Sequence, residues 1–279
     1  MKDLNAICTI LKRFRFNYCY IDYKLINDYI EFYFYKSSIE NDENMLNYLW
    51  IIKNVFLIKK QYVYAFNELK KDKFHKAWCS FANIENRYKI LMNFYNGEYD
   101  ELDINFIYDY TKKFQRCFPY KAFFSPEFLV KGFKCSICGK KYKFKPKCGH
   151  KIGKLYHGKF CSKVCLGMEM LNVAIVKKPA DKCTVVFTGD GDDYNYGLIK
   201  SLSSNLNSPF DEWEYTVNKT LVPHSEFCID ENDECPCGSG EKYGVCCLKR
   251  EGVLIDKFNV IFHTPPSNGK FIEYSEYYV

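Results

Sequence analysis

Four cysteines fall within fourteen residues in ECPCGSGEKYGVCC, residues 234–247. A thiolate is a soft anionic ligand, and four of them close a tetrahedral shell around Zn²⁺ with no position left for water, which makes a structural rather than a catalytic site. The intervening residues suit that purpose. Pro236 and Gly238 permit a tight turn that aims Cys235 and Cys237 at one point, Ser239 and Gly240 let the chain double back, and Cys246 and Cys247 complete the shell. A second cluster offers more donors than one ion needs: Cys135 and Cys138 in CSICGKK, Cys148 and His150 in KCGH, His157, then Cys161 and Cys165 in CSKVC. The favoured quartet is Cys135, Cys138, Cys148 and His150, because a turn at KFKPK carries the C-x-H pair back onto the first knuckle. Cys135, Cys138, Cys161 and Cys165, a treble-clef-like use of a helix start, is the alternative. Two zinc ions are expected.

The C-terminal stretch resembles the SEC-C motif, a short zinc-binding element of the tail of the preprotein translocase ATPase SecA and of many otherwise unrelated bacterial proteins. The likeness covers NDECPCGSGEKYGVCCL: Asn232 and Asp233, CPCGSG entire, the pair Lys242 and Tyr243, and the closing Cys-Cys. Glu234 and Glu241 depart from it. The resemblance implies zinc bound by Cys235, Cys237, Cys246 and Cys247. In the SecA tail the motif presents a basic surface to a chaperone and to phospholipid, and elsewhere it is an appended interaction module. Residues 135–181 resemble, more loosely, a small zinc module of phage and prophage proteins, through C-x-x-C-G, C-x-H and a strand ending in Pro179-Ala180. That likeness implies a phage, prophage or host-defence origin.

Metal also accounts for the thiol count. Of fifteen cysteines, eleven follow position 130, and the N-terminus MKDLNAICTILKRFRF lacks the apolar run of a signal peptide. No stretch approaches the roughly 18 apolar residues of a membrane span. A cytoplasmic protein is expected, where clustered cysteines bind metal rather than form disulfides.

From Lys131 to Lys163 the chain carries eleven lysines and no acid, against a net charge of +6 for all 279 residues. Tyr142, Phe144 and Tyr156 interleave with these lysines, the combination that stacks bases beside neutralised phosphates in single-stranded nucleic acid. Lys143, Lys145 and Lys147 are the candidate contacts. No Walker loop, G-x-S-x-G or H-E-x-x-H occurs, and Asp190, Asp192 and Asp193 in TGDGDDYNYG read as a polar turn rather than a cation loop. Binding, with a protein as partner and nucleic acid as the alternative, is expected rather than catalysis; an enzyme with an unrecognised site is the third reading.

The elements that must hold these clusters read as α+β. Three-and-four spacing of Phe74, Ala77, Trp78, Phe81, Ile84, Tyr88 and Leu91 predicts a helix that Gly97 stops. Helices are also predicted over ENMLNYLWIIKNVF, from Asp103 to before Pro119, and around residues 196–206, whereas DYIEFYFYK suits helix or strand. LNVAIV, CTVVFTG and KFNVIFH read as strands, the last one available to pair with the central sheet. The expected order is a helical domain, 1–128; a central zinc-binding α+β module, 129–210; an acidic linker, 211–231; the knuckle, 232–250; and a C-terminal strand and tail, 251–279. The hydrophilic HSEFCIDENDE before the knuckle suggests a semi-independent docking element.

Overall fold

The computed structural model describes residues 2–95, 101–146, 148–187, 194–263 and 271–276; Gly97, Lys147 and the turn of Asp190, Asp192 and Asp193 lie outside them. The chain divides into two compact units, Met1–Tyr194 and Asn195–Val279.

Helices open the first unit: α1 (Lys2–Lys12), α2 (Phe14–Asn17), α3 (Tyr23–Ile39), α4 (Glu43–Leu69), α5 (Phe74–Leu91) and α6 (Ile104–Arg116). Two of the starts are set by Asp side chains. Asp22 accepts from the backbone N–H groups of Lys24 and Leu25, and Asp42 from that of Met45, each at 3.0 Å, satisfying donors that a helix start leaves open. The ambiguous DYIEFYFYK is helical, as part of α3, where Ile26, Ile30 and Ser37 bury at four- and seven-residue spacing. The central helix is α4. Leu49, Ile52, Val55, Phe56, Ile58 and Tyr62 are all buried along it, and α3, α5 and α6 pack around it.

Short strands follow in the same unit: β1 (Phe123–Val130), β2 (Phe133–Cys135), β3 (Lys141–Tyr142), β4 (Leu155–Tyr156), β5 (Lys159–Phe160), β6 (Lys163–Cys165) and β7 (Met168–Val176). β1 and β7 form a two-stranded antiparallel ribbon, β3-β2-β6 a small sheet, and β4-β5 a hairpin. That hairpin seats on α4: Gly158 donates its N–H to Asn47 Oδ1 at 2.8 Å, and Phe160 stacks on Trp50 with centroids 6.1 Å apart. CTVVFTG, expected as a strand, is not one over its described residues, 183–187. Only Val185 makes a β-bridge, to Phe123, and residues 184–186 are held by two backbone bonds to 122–124.

A buried ion network ties this segment to the helices. Glu85 on α5, almost fully buried, takes Lys182 Nζ at 2.5 Å and Lys89 Nζ at 2.8 Å, with Lys112 Nζ at 3.4 Å; Lys182 also reaches Gln115 at 3.1 Å. Burial alone raises a carboxyl's pKa, but the hydrogen bonds of Lys182 and Lys89 and the charges of Lys182 and Lys112 outweigh it and draw Glu85 down to about 2 from 4.5. The ionised form is therefore favoured by folding, a contribution complete above pH 4.5 and lost as pH falls toward 2. At ~1.4 kcal/mol per unit it is worth at most about 3.5 kcal/mol. Lys182 returns part of that, since burial lowers its own pKa. The melting temperature of the helical unit is expected to fall between pH 5 and pH 2, and Glu85→Gln to flatten that slope while destabilising the protein at pH 7 by leaving the half-buried Lys182 without its closest counter-charge. Calorimetry across that range checks both.

The second unit contains α7 (Gly197–Asn205), β8 (Trp213–Val222), β9 (Val253–Phe262) and β10 (Phe271–Glu276), with strand order β10-β9-β8, all antiparallel. Three expectations differ from what is found. Residues 213–222 are a strand, not linker, because Trp213, Tyr215 and Val217 alternate with polar residues along an edge whose other side is wet. The helix at 197–205, expected in the central module, falls in this second unit, and KFNVIFH pairs with β8 and β10 rather than with the module's sheet.

Candidate metal centres

The knuckle is the connection of one long hairpin. β8 and β9 pair over ten positions, from Trp213 opposite Phe262 to Val222 opposite Val253, and residues 223–252 close the loop at that end. Gly252 makes the closure possible: a Cβ there would sit 2.6 Å from the Val222 carbonyl oxygen. Within the loop Glu234 bridges Lys242, and the Cys235 N–H donates to the Glu241 carbonyl at 2.8 Å. The tight turn expected after Cys237 is present, with Gly238 at φ +73° and its N–H on the Cys235 carbonyl at 3.0 Å. Cys235, Cys237, Cys246 and Cys247 converge so that their sulfurs lie within 4.8 Å of one another, Cys237 and Cys246 at 3.6 Å.

Charge is distributed unequally over those thiols. Burial opposes ionisation at Cys237, but hydrogen bonds, chiefly from Ser239 and Cys235, overcome it and bring its pKa down to about 7. Burial pushes Cys235 up to about 12. A fully buried thiol beside one that ionises readily is a donor set suited to a doubly positive soft ion, and such a cluster fits zinc.

The knuckle does not hang free of its sheet. Cys235, Tyr243 and Cys247 are buried in one cluster with Val253 and Ile255 of β9, and Val222, Phe227, Ile229 and Leu248 pack against it. His224, which sequence reasoning passed over, fastens the base. Its Nε2–H donates to the Arg250 carbonyl at 2.8 Å, and its Nδ1 accepts from the Tyr243 hydroxyl at 2.6 Å. A carbonyl can only accept, which fixes the tautomer. The signal for this residue was its place directly after Pro223, at the mouth of an unrecognised hairpin.

The second centre lies in the small sheet. Cys135 ends β2, the central strand, and its carbonyl receives the Gly139 N–H at 2.9 Å, closing the first knuckle. The ligand atoms of Cys135, Cys138, Cys148 and His150 lie within 4.8 Å of one another. Backbone N–H groups, first that of Cys138, hold Cys135 down to about 6 despite burial. His150 Nδ1 is buried with no hydrogen-bond partner among the described residues, the condition of a nitrogen kept for a cation. The residues present therefore fit a metal.

The remaining candidates separate. Cys161 is buried with its sulfur 3.9 Å from that of Cys135, a fourth thiol beside the quartet's three thiols and one imidazole, and burial pushes it up to about 11. Cys165 is exposed on β6 opposite Phe133, away from the group, so the alternative quartet is not assembled. His157 faces Glu43 on α4, Nε2 to Oε2 3.7 Å.

The basic stretch forms an open groove of about 820 Å³ lined by Lys131, Lys141, Lys143, Phe144, Lys145 and Leu166 among others. Of the three aromatics expected to stack on bases, Phe144 alone is free, at 86% exposed. Tyr142 is buried against Cys135 and Cys161, its hydroxyl without a partner among the described residues, and the Tyr156 hydroxyl accepts the Lys151 N–H at 2.8 Å. No helix among the described residues is long and apolar enough to cross a membrane.

A family description, the SEC-C motif, matches residues 232–249 of this chain. No curated protein and no solved structure matches it.

Proposed function

We propose that this chain, with its SEC-C motif, is a non-catalytic zinc-dependent binding protein whose principal surface is the basic groove of the central module, taking single-stranded nucleic acid. Zinc held by Cys235, Cys237, Cys246 and Cys247, and by Cys135, Cys138, Cys148 and His150, supplies cross-linking: a closed tetrahedral shell leaves no position for a substrate. A cytoplasmic location belongs to this reading, supported by the gathering of eleven of the fifteen cysteines after position 130, eight donors of that region falling in two ligand-like groups.

The observation that carries it is Phe144, standing 86% exposed between Lys143 and Lys145 on the groove. A lone exposed ring among lysines has a use: stacking on a base is worth about 1–3 kcal/mol and tolerates any sequence, while each lysine releases a counterion from phosphate. Fluorescence anisotropy with a labelled homopolymeric single strand is expected to show binding at about 50 mM salt that collapses by about 200 mM. Phe144→Ala is expected to weaken binding roughly tenfold at unchanged salt slope, and Lys143→Glu with Lys145→Glu to reduce the slope itself. No binding at the lower salt overturns the reading.

The knuckle as a protein-docking element is the second reading. Val245 favours it, 69% exposed on a loop whose Tyr243, Cys235 and Cys247 are buried. It ranks second because those apolar groups are already spent on the chain's own sheet.

A further inference from the structure

The β1–β7 ribbon has one face made wholly of apolar residues. Strand alternation puts Phe124, Pro126, Phe128 and Val130 of β1 on a common side. Their partners across the ladder are Ile175, Val173, Met170 and Met168. This match depends on an irregularity. Between Glu127 and Phe128 the register shifts so that Leu171 is an extra residue of β7, and without it Val173 and Ile175 would share a side with Glu169 rather than with Met168 and Met170. A bulge that brings two halves of a strand into phase on one apolar face is a device for presenting that face.

The opposite face is mixed, with the polar Ser125, Glu127, Asn172 and Glu169 beside Leu129, Ala174 and Val176, and its Phe123 is buried, stacked on Trp78 of α5 with centroids 6.0 Å apart. The apolar face has no such cover among the described residues. Phe124, Phe128, Val173, Met168, Met170 and Ile175 range from 40% exposed at Phe124 to 65% at Ile175, Pro126 is exposed and Val130 is half-buried, and among the described residues β7 pairs with β1 alone. A two-stranded ribbon is marginal by itself in water. Seven exposed side chains and the half-buried Val130 leave on the order of 600 Å² exposed, comparable with the largest apolar patch of a typical monomer.

We propose that this face is the contact surface of a homodimer, in which the same ribbon of a second copy packs face to face across a two-fold axis. Two faces of this size bury about 1,200 Å² in total, the lower end of what stable interfaces use. The face carries no charge, so a second copy brings none against it, and an isologous contact closes without leaving a free surface for further growth. A foreign strand added along the outer edge of β7 would leave these eight side chains wet, which makes a face-to-face partner the better occupant. Stacking at the usual ~10 Å between sheets yields a four-stranded sandwich whose core is the four cross-strand pairs and their copies.

Sedimentation equilibrium of the zinc-replete, nuclease-treated full chain tests this. A dimer with micromolar or tighter Kd is expected. Met170→Lys with Ile175→Lys, both at exposed positions and so compatible with folding, is expected to raise Kd at least 100-fold with an unchanged circular dichroism spectrum. Phe16→Lys, at another exposed aromatic on α2, is expected to leave it unaltered. A wild-type monomer at 100 µM overturns the proposal, as does a dimer insensitive to the double substitution. Species that grow without limit as concentration rises also overturn it, since they would mean an unselective sticky surface.

Discussion

Serine at both Cys235 and Cys247 is expected to unfold residues 195–279 as a whole, not the knuckle alone. These two thiols are the fully buried pair of the quartet, and they sit in the same cluster as Val253 and Ile255 of β9. Metal binding at a small structural zinc site is worth on the order of 10 kcal/mol. A unit of this size holds only about 4–13 kcal/mol in total, at 0.05–0.15 kcal/mol per residue. The first figure is comparable with the whole of the second, so the unit cannot survive its loss. Opening the knuckle also releases the Val222–Val253 end of the hairpin and the His224 clasp on Tyr243 and Arg250. The helical unit has a separate core along α4 and should keep its structure. Limited proteolysis read by mass spectrometry is expected to show rapid cleavage throughout β8 and β9, with residues 1–194 surviving. Cleavage confined to residues 223–252 would instead mean that the knuckle is a semi-independent appendage, as the hydrophilic HSEFCIDENDE suggested.

That contrast shows what the sequence could carry. Both cysteine groups were readable, because ligand chemistry demands particular residue types close together and the fold cannot disguise them. The α5 helix was readable for a similar reason: Phe74, Ala77, Trp78, Phe81, Ile84 and Leu91 repeat at the helical period and are buried. β8 was not. Its alternation of Trp213, Tyr215 and Val217 lies between acidic residues, and its partner begins thirty-one positions further on, at Val253. A pairing across an intervening metal loop has no local signature, so the knuckle's coupling to β9 was invisible as well. Tyr142 failed differently. Its position among lysines suggested a stacking platform, but the ring faces the thiols of Cys135 and Cys161, and residue type alone does not say to which side of a two-residue strand a ring turns. The apolar face of the ribbon depends on a bulge at Leu171, which no periodicity reveals in advance.

His150→Ala is expected to remove the central zinc, and Cys161→Ala to keep it. The difference rests on one nitrogen and one sulfur that the chain has placed unlike one another. His150 Nδ1 is buried and has no hydrogen-bond partner among the described residues, so a cation would compensate its desolvation, whereas burial pushes the Cys161 thiol up to about 11 and it lies beside the quartet instead of within it. Elemental analysis should therefore give one zinc per chain for His150→Ala and two for Cys161→Ala and wild type. The structural consequence is local. β2, β3 and β6 are only two or three residues long, and the fully buried residues around them are Cys135, Tyr142 and Cys161, too few to hold the sheet without metal. Helix content should change little on losing this zinc, because α4 and its neighbours do not depend on it, while the groove around Phe144 dissolves and any single-strand affinity goes with it. The reverse result, zinc lost with Cys161→Ala and kept with His150→Ala, would make the centre an all-thiolate site of Cys135, Cys138, Cys148 and Cys161. The buried Tyr142 hydroxyl would then lie against a metal-bound sulfur and serve as its hydrogen-bond donor.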